Sequence, residues 1–160
     1  MTIQEAIGLF KNLLASATKK REIRIYKHYL GLLSGLKQVE FTVEEQEQLQ
    51  TYLKDLQLKT DPTNRSKYLS KKYYQFTQYL QNAFGLVTEG YYSGLSISLG
   101  LSLGAGLGVT FGVFFGGSGV SLGVSFGAGI GLIIGIIVGT QLDQAAKEKG
   151  KVISTTITDE

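Results

Sequence analysis

A chain of 160 residues has room for one small domain and a short membrane segment, and no more. It contains no cysteine, which excludes a disulfide framework and any thiolate metal site. The formal net charge of +3 is unevenly placed: residues 1 to 89 carry thirteen Lys and Arg against nine Asp and Glu, whereas Gly90 to Leu142 carries no charge at all.

Taken in order, Thr2 to Ala17 predicts a first helix, with Ile3, Ile7, Phe10 and Leu14 on one face and Glu5, Lys11 and Asn12 off it. Gln4, Glu5, Lys11 and Asn12 interrupt any continuous apolar run here, so a secretory signal is not expected. The basic stretch Lys19 to Lys27 leads into Tyr29, Leu30, Leu32, Leu33 and Leu36, a second helix ending near Gly35 or Leu36. Its basic residues read first as a solvated face and next as a contact for anionic headgroups, worth about 1 kcal/mol per residue near a membrane surface. Nucleic acid ranks behind both.

Thr42 with Glu45 three residues on is a capping box, and Val43, Leu49, Leu53 and Leu56 continue it as a third amphipathic helix to about Leu58. Asp61-Pro62 marks the start of a fourth helix, from about Thr63 toward Phe84. Its surface carries Arg65, Lys67, Lys71 and Lys72, the candidate lipid-headgroup contacts, and its apolar stripe includes Tyr68, Leu69, Tyr73, Phe76, Tyr79 and Leu80. Six of the nine tyrosines fall between positions 68 and 92, which fits an interfacial aromatic belt and equally a helical core.

The stretch from Gly90 to Leu142 holds sixteen of the twenty-one glycines. Glycine recurs every fourth residue in two series, at 100, 104, 108, 112 and 116, then at 119, 123, 127, 131, 135 and 139, with Ser96 extending the first. The register slips at Gly116-Gly117-Ser118-Gly119, where a turn between two spans is expected. From Leu95 to Val113 apolar and small residues also alternate strictly, which is a strand signature. Length decides for helix: these nineteen residues would make a strand of roughly 60 Å but a helix of roughly 28 Å, close to the hydrocarbon thickness of about 30 Å. Open strand edges would also leave unpaired backbone groups in lipid, so strands would require a closed multichain barrel.

On a helix, residues two apart lie about 200° apart, so each span has two small-residue faces on opposite sides. A four-residue repeat drifts about 40° per step against the 3.6-residue turn, so one straight partner is not expected to use a whole series. That predicts a homo-oligomer packed through Gly100, Gly104, Gly108, Gly112, Gly123, Gly127, Gly131 and Gly135. Ser98, Ser102, Thr110, Ser121 and Ser125 offer mild polarity to a candidate lumen. Beyond the spans, Asp143 to Lys149 reads as a short polar helix ended by Gly150, and the last ten residues as a loose tail or a strand added to a partner. Basic residues flank both ends of the uncharged stretch and the turn has none, so both termini are expected in the cytoplasm.

A phosphate-loop reading fails because no lysine follows these glycines before Lys147, and GxGxxG breaks at Phe111 and at Ile134. His28, the lone histidine, reads as a partly exposed helix residue rather than a ligand, and no carboxylate pair sits in the spans to relay protons. An enzyme and a bound cofactor are therefore not expected. The glycine series over residues 94 to 139 resembles the glycine-zipper membrane proteins, in which small-residue stripes pack helices into oligomers and, in several cases, channels or pores. With Asn64-Arg65-Ser66-Lys67-Tyr68-Leu69 and Glu89-Gly90-Tyr91-Tyr92, the chain looks like bacterial inner-membrane proteins of that general kind.

The resulting reading is an all-α membrane protein in four parts. Residues 1–60 form an N-terminal helical domain, 61–89 a basic and aromatic helix leading to the membrane, 90–142 a two-span hairpin and 143–160 a cytoplasmic tail. Its expected partners are membrane lipid, further copies of itself and a protein bound by the N-terminal domain. The leading expectation for function is an oligomeric channel or pore; the alternatives are a non-conducting anchor or scaffold and, third, a soluble protein that inserts on a trigger.

Overall fold

The structure, a computed structural model, describes residues 1–60, 63–114 and 117–155. Asp61-Pro62, Gly116 of the expected turn and the tail from Ile157 onward lie outside the described residues, as do Phe115 and Thr156. The described chain divides into two compact units: Met1–Thr88 joined by the C-terminal residues from Ile153, and Glu89–Val152.

The first unit is built from four helices, α1 (Ile3–Ser16), α2 (Lys20–Leu36), α3 (Val43–Asp55) and α4 (Arg65–Phe84). Two of them start on capping boxes. Thr42 and Glu45 exchange backbone and side-chain hydrogen bonds as the spacing predicts, and Thr2 with Glu5 does the same at α1. Each box satisfies first-turn N–H groups that have no intrahelical partner. The fourth helix ends at Gly85, whose φ of 66° only glycine adopts cheaply; Gly85 N–H donates to Gln81 and Leu86 N–H to Leu80, closing the last turn.

Tyr29 is the centre of the core. It has no exposed surface, stacks on Phe10 at 4.2 Å, meets Tyr73 edge-on at 5.2 Å, and donates its hydroxyl proton to the Leu69 carbonyl at 3.0 Å. Leu32, Leu33, Leu53, Leu69 and Phe76 are buried in the same cluster. The stretch 61–89 is thus not a separate piece, since Leu69, Phe76 and Leu80 of α4 complete the core begun by α1 and α2. Tyr68, Tyr73 and Tyr79 pack against that cluster as well, so half of the clustered tyrosines serve the domain core.

Two short strands flank the hairpin in sequence, β1 (Val87–Thr88) and β2 (Val152–Ile153), and they pair with each other. Ile153 is buried in the core cluster. Its neighbours Ser154 and Thr155 run against α2, where an added Cβ at Gly31 would meet the Thr155 carbonyl and one at Gly35 the Ser154 carbonyl. The start of the tail, as far as Thr155, is therefore held against its own chain.

The second unit is two long helices, α5 (Tyr91–Phe114) and α6 (Gly117–Glu148). Both are long and apolar enough to cross a membrane, at roughly 36 Å and 48 Å. Only 11 % of the most apolar window of α5 and 17 % of that of α6 is buried, unlike the core helix of a soluble domain. Two expectations differ here. Gly117, Ser118 and Gly119 are helical rather than part of a turn, and Asp143 to Glu148 continues α6 rather than forming a separate short helix. With no proline between 117 and 148 and only one helix-breaking Gly150 (φ 66°) beyond, nothing interrupts the hydrogen-bond ladder there.

Candidate functional site

Along the seam between α5 and α6, glycines of one helix face the backbone of the other. A Cβ added at Gly100 would meet the Gly131 carbonyl, at Gly104 that of Gly127, and at Gly108 that of Gly123; the reverse holds from Gly123, Gly127 and Gly131. Gly112 faces Gly119, Gly135 faces Ser96, and Gly139 faces Ser93 at the far end. Antiparallel helices in contact along a four-residue series over this length must wind round each other, because the series itself drifts about 40° per step. The partner that takes up the described glycines of both series is thus the other helix of the same chain, wound rather than straight. The eight glycines assigned to oligomer packing all lie in the seam within one chain.

Close approach of this kind replaces side-chain packing: with no Cβ on either face, the backbones themselves make the van der Waals contact. Glycine costs up to about 1 kcal/mol per residue in helix propensity against Ala in water, and the seam is where that cost is offset.

The opposite face is left uncovered. On α5, Gly94, Ser98, Ser102, Gly106 and Thr110 form a second four-residue series, all exposed, and on α6 Ser121, Ser125 and Gly129 do the same. An added Cβ at Gly94, Gly106 or Gly129 would meet nothing within 4 Å. The hydroxyls of this face turn back on their own helices: Ser98 donates to Gly94 at 2.8 Å, Ser102 to Ser98 at 2.8 Å, Thr110 to Gly106 at 3.1 Å and Ser125 to Ser121 at 3.0 Å, each to a carbonyl one turn earlier. Such bonding satisfies the donor without a partner helix and leaves the oxygen's acceptor capacity open. Large apolar ridges, among them Leu103, Phe111, Phe126 and Ile133, stand exposed between the small faces.

One charged side chain closes the seam. Asp143, near the end of α6, accepts from the Tyr92 N–H at one carboxylate oxygen and from the Ser93 N–H at the other, both at 3.0 Å. These are first-turn donors of α5, which have no intrahelical acceptor, and a carboxylate there also suits the positive end of the helix dipole. Sequence reading places Asp143 only in a polar tail; its spacing of fifty residues from its partners carries no local signal.

The four basic candidates of α4 do not form one patch. Lys67 and Lys71 are exposed one turn apart. Lys72 lies over the Tyr68 ring at 5.6 Å, and Arg65 lines a cleft with Ser16, Lys19, Glu22 and Tyr26. His28 is exposed on α2, 5.9 Å from the Tyr73 ring. Burial pushes the phenols of Tyr29, Tyr73, Tyr52 and Tyr79 above their ordinary range, with neighbouring tyrosines adding to the effect at Tyr29 and Tyr52. Among the described residues no three His, Asp or Glu side chains gather as a metal site. No protein-family model matches the chain, and no curated protein or solved structure matches it.

Proposed function

We propose that the chain is an oligomeric two-span membrane anchor, in which the hairpin holds a helical domain at one face of the bilayer and joins further copies through its second small-residue series. The observation that carries this reading is the split between the two faces: the glycines at 100, 104, 108 and 112 and at 119, 123, 127, 131 and 135 are occupied within one chain, while Gly94, Ser98, Ser102, Gly106 and Thr110 present an equally small and wholly exposed face. In lipid there is no hydrophobic drive between helices, so close backbone contact at such a face is what favours association. Residues on both sides of the hairpin belong to one compact unit, which supports both termini lying on the same side. The basic residues at both ends of the uncharged stretch favour the cytoplasmic side, with Lys67 and Lys71 free to meet anionic headgroups. A protein partner of the helical domain belongs to the same reading.

The channel or pore is the second reading, favoured by the placement of Ser98, Ser102 and Thr110 on one face. Their hydroxyls bond their own helix, which suits packing more than a wet lumen, and this places the anchor first. Cysteines introduced at Ser98, Ser102 and Ser121 of this cysteine-free chain separate the two. Thiolate forms where water reaches it. Protection of these positions from small water-soluble thiol reagents, as at control positions Leu99 and Leu103, together with vesicles that remain tight, is the expected result. Labelling of the serine positions accompanied by ion flux that changes on labelling establishes the pore instead.

A further inference from the structure

We infer that the helical domain docks on the helical domain of a second copy, the cationic face of α2 in one copy against the anionic face of α3 in the other. At about 100° per residue, Lys20, Arg21, Arg24, Lys27 and His28 fall within about 120° of one another on α2, and all five are exposed. No carboxylate interrupts this stripe, because Glu22, the one acid of α2, lies outside it and pairs with Lys19 at 3.5 Å. On α3, Glu44, Glu47, Gln48, Thr51 and Asp55 share an exposed face within about 100°, with Lys54 at its edge. Among the described residues no member of either stripe makes an ion pair, so neither charge is neutralised within the chain.

The anionic face borders a cleft built to take such side chains. Glu44, Glu47, Thr51, Tyr52, Asp55 and Tyr79 line it, and the rings of Tyr52 and Tyr79 stack at 3.8 Å. Carboxylates beside phenol rings suit a guanidinium or an ammonium, which takes charge-assisted hydrogen bonds from the former and ring attraction from the latter. An anionic membrane would account for the stripe on α2 but would repel the stripe on α3. A second copy uses both. Because the two faces lie on different helices, the contact is heterologous, and each copy keeps one face for the next. Surface ion pairs are individually weak, so the inference rests on the anchor reading in one respect: copies held in one bilayer meet at high effective concentration.

The test uses the full chain, cysteine-free, in vesicles of zwitterionic phospholipid. Copies carrying His28→Cys are mixed with copies carrying Gln48→Cys, and a bifunctional thiol reagent whose reach matches the stripes should join the two kinds. The yield should fall as salt is raised, since exposed charges are screened. Lys20→Glu, Arg24→Glu and Lys27→Glu together in the His28→Cys copy should lower it by about tenfold or more, through like charge across the contact. Adding Glu44→Lys, Glu47→Lys and Asp55→Lys to the Gln48→Cys copy should restore it. A yield indifferent to salt overturns the inference. So does a loss on reversing α2 that reversal of α3 fails to restore, because α2 would then meet something other than α3. Detergent-resistant oligomers in Gly106→Leu report the hairpin contact separately, so either contact can fail without the other.

Discussion

The two units are held by opposite means. Around Tyr29 the helical domain is a core of large side chains, in which Phe10, Leu33, Leu69 and Phe76 exclude solvent by filling space. Along the α5–α6 seam the facing glycines let the two backbones meet directly. The first arrangement depends on water, since burying a Leu or Phe side chain there contributes about 1.5 to 3 kcal/mol. The second suits a medium where apolar surface has no reason to hide, and where only contact distance and satisfied backbone groups count. Bulk is therefore stabilising in one unit and destructive in the other.

The sharpest break of this contrast is Gly104→Leu or Gly127→Leu. Each places a side chain where the facing carbonyl lies, and α5 and α6 should separate, read as a lengthened and broadened distance between labels on the two helices. Gly106→Leu, with open space at its Cβ, should leave that distance unchanged and instead reduce detergent-resistant oligomers, as the proposed outer contact requires. In the helical domain the sign reverses: Phe76→Ala removes bulk from the core and should destabilise it by about 3 to 5 kcal/mol in thermal unfolding, with the hairpin distances unaffected.

Gly35→Ala crosses the two regimes, being a glycine contact inside the water-soluble type of core. A Cβ there meets the backbone of Ser154, so the tail should be displaced at a cost of about 1 to 3 kcal/mol, visible as faster proteolysis after Lys151. The smallest effect is Tyr29→Phe, which keeps the ring and loses one hydrogen bond, worth about 1 kcal/mol. Tyr29 also gives the domain an alkaline limit. Its phenol is raised in the folded state above the ordinary 10.0, so folding favours the neutral form. The resulting stability is intact below pH 10 and is lost as pH rises from there toward the folded value. Titration followed by phenolate absorbance should show unfolding setting in above pH 10, with a shallower loss of stability in Tyr29→Phe.

The sequence by itself determined helices α1 to α4 and the segment able to cross a membrane, because each depends on signals within a few residues. Thr42 with Glu45, the apolar spacing of α1 to α4, and the uncharged length from 90 to 142 are all local or additive. The glycine series, too, is plain in the sequence, and its four-residue period correctly marks a helix contact face. Which partner that face meets was decided only by the tertiary structure, since identical stripes on two helices fit each other and a neighbour's copies alike. Gly117 to Gly119, read from the sequence as part of a turn, are instead the start of α6. Asp143, Gly31 and Gly35, and the pairing of β1 with β2 were out of reach altogether. Their partners lie fifty or more residues away, and a contact made by folding the chain back on itself leaves no period to read.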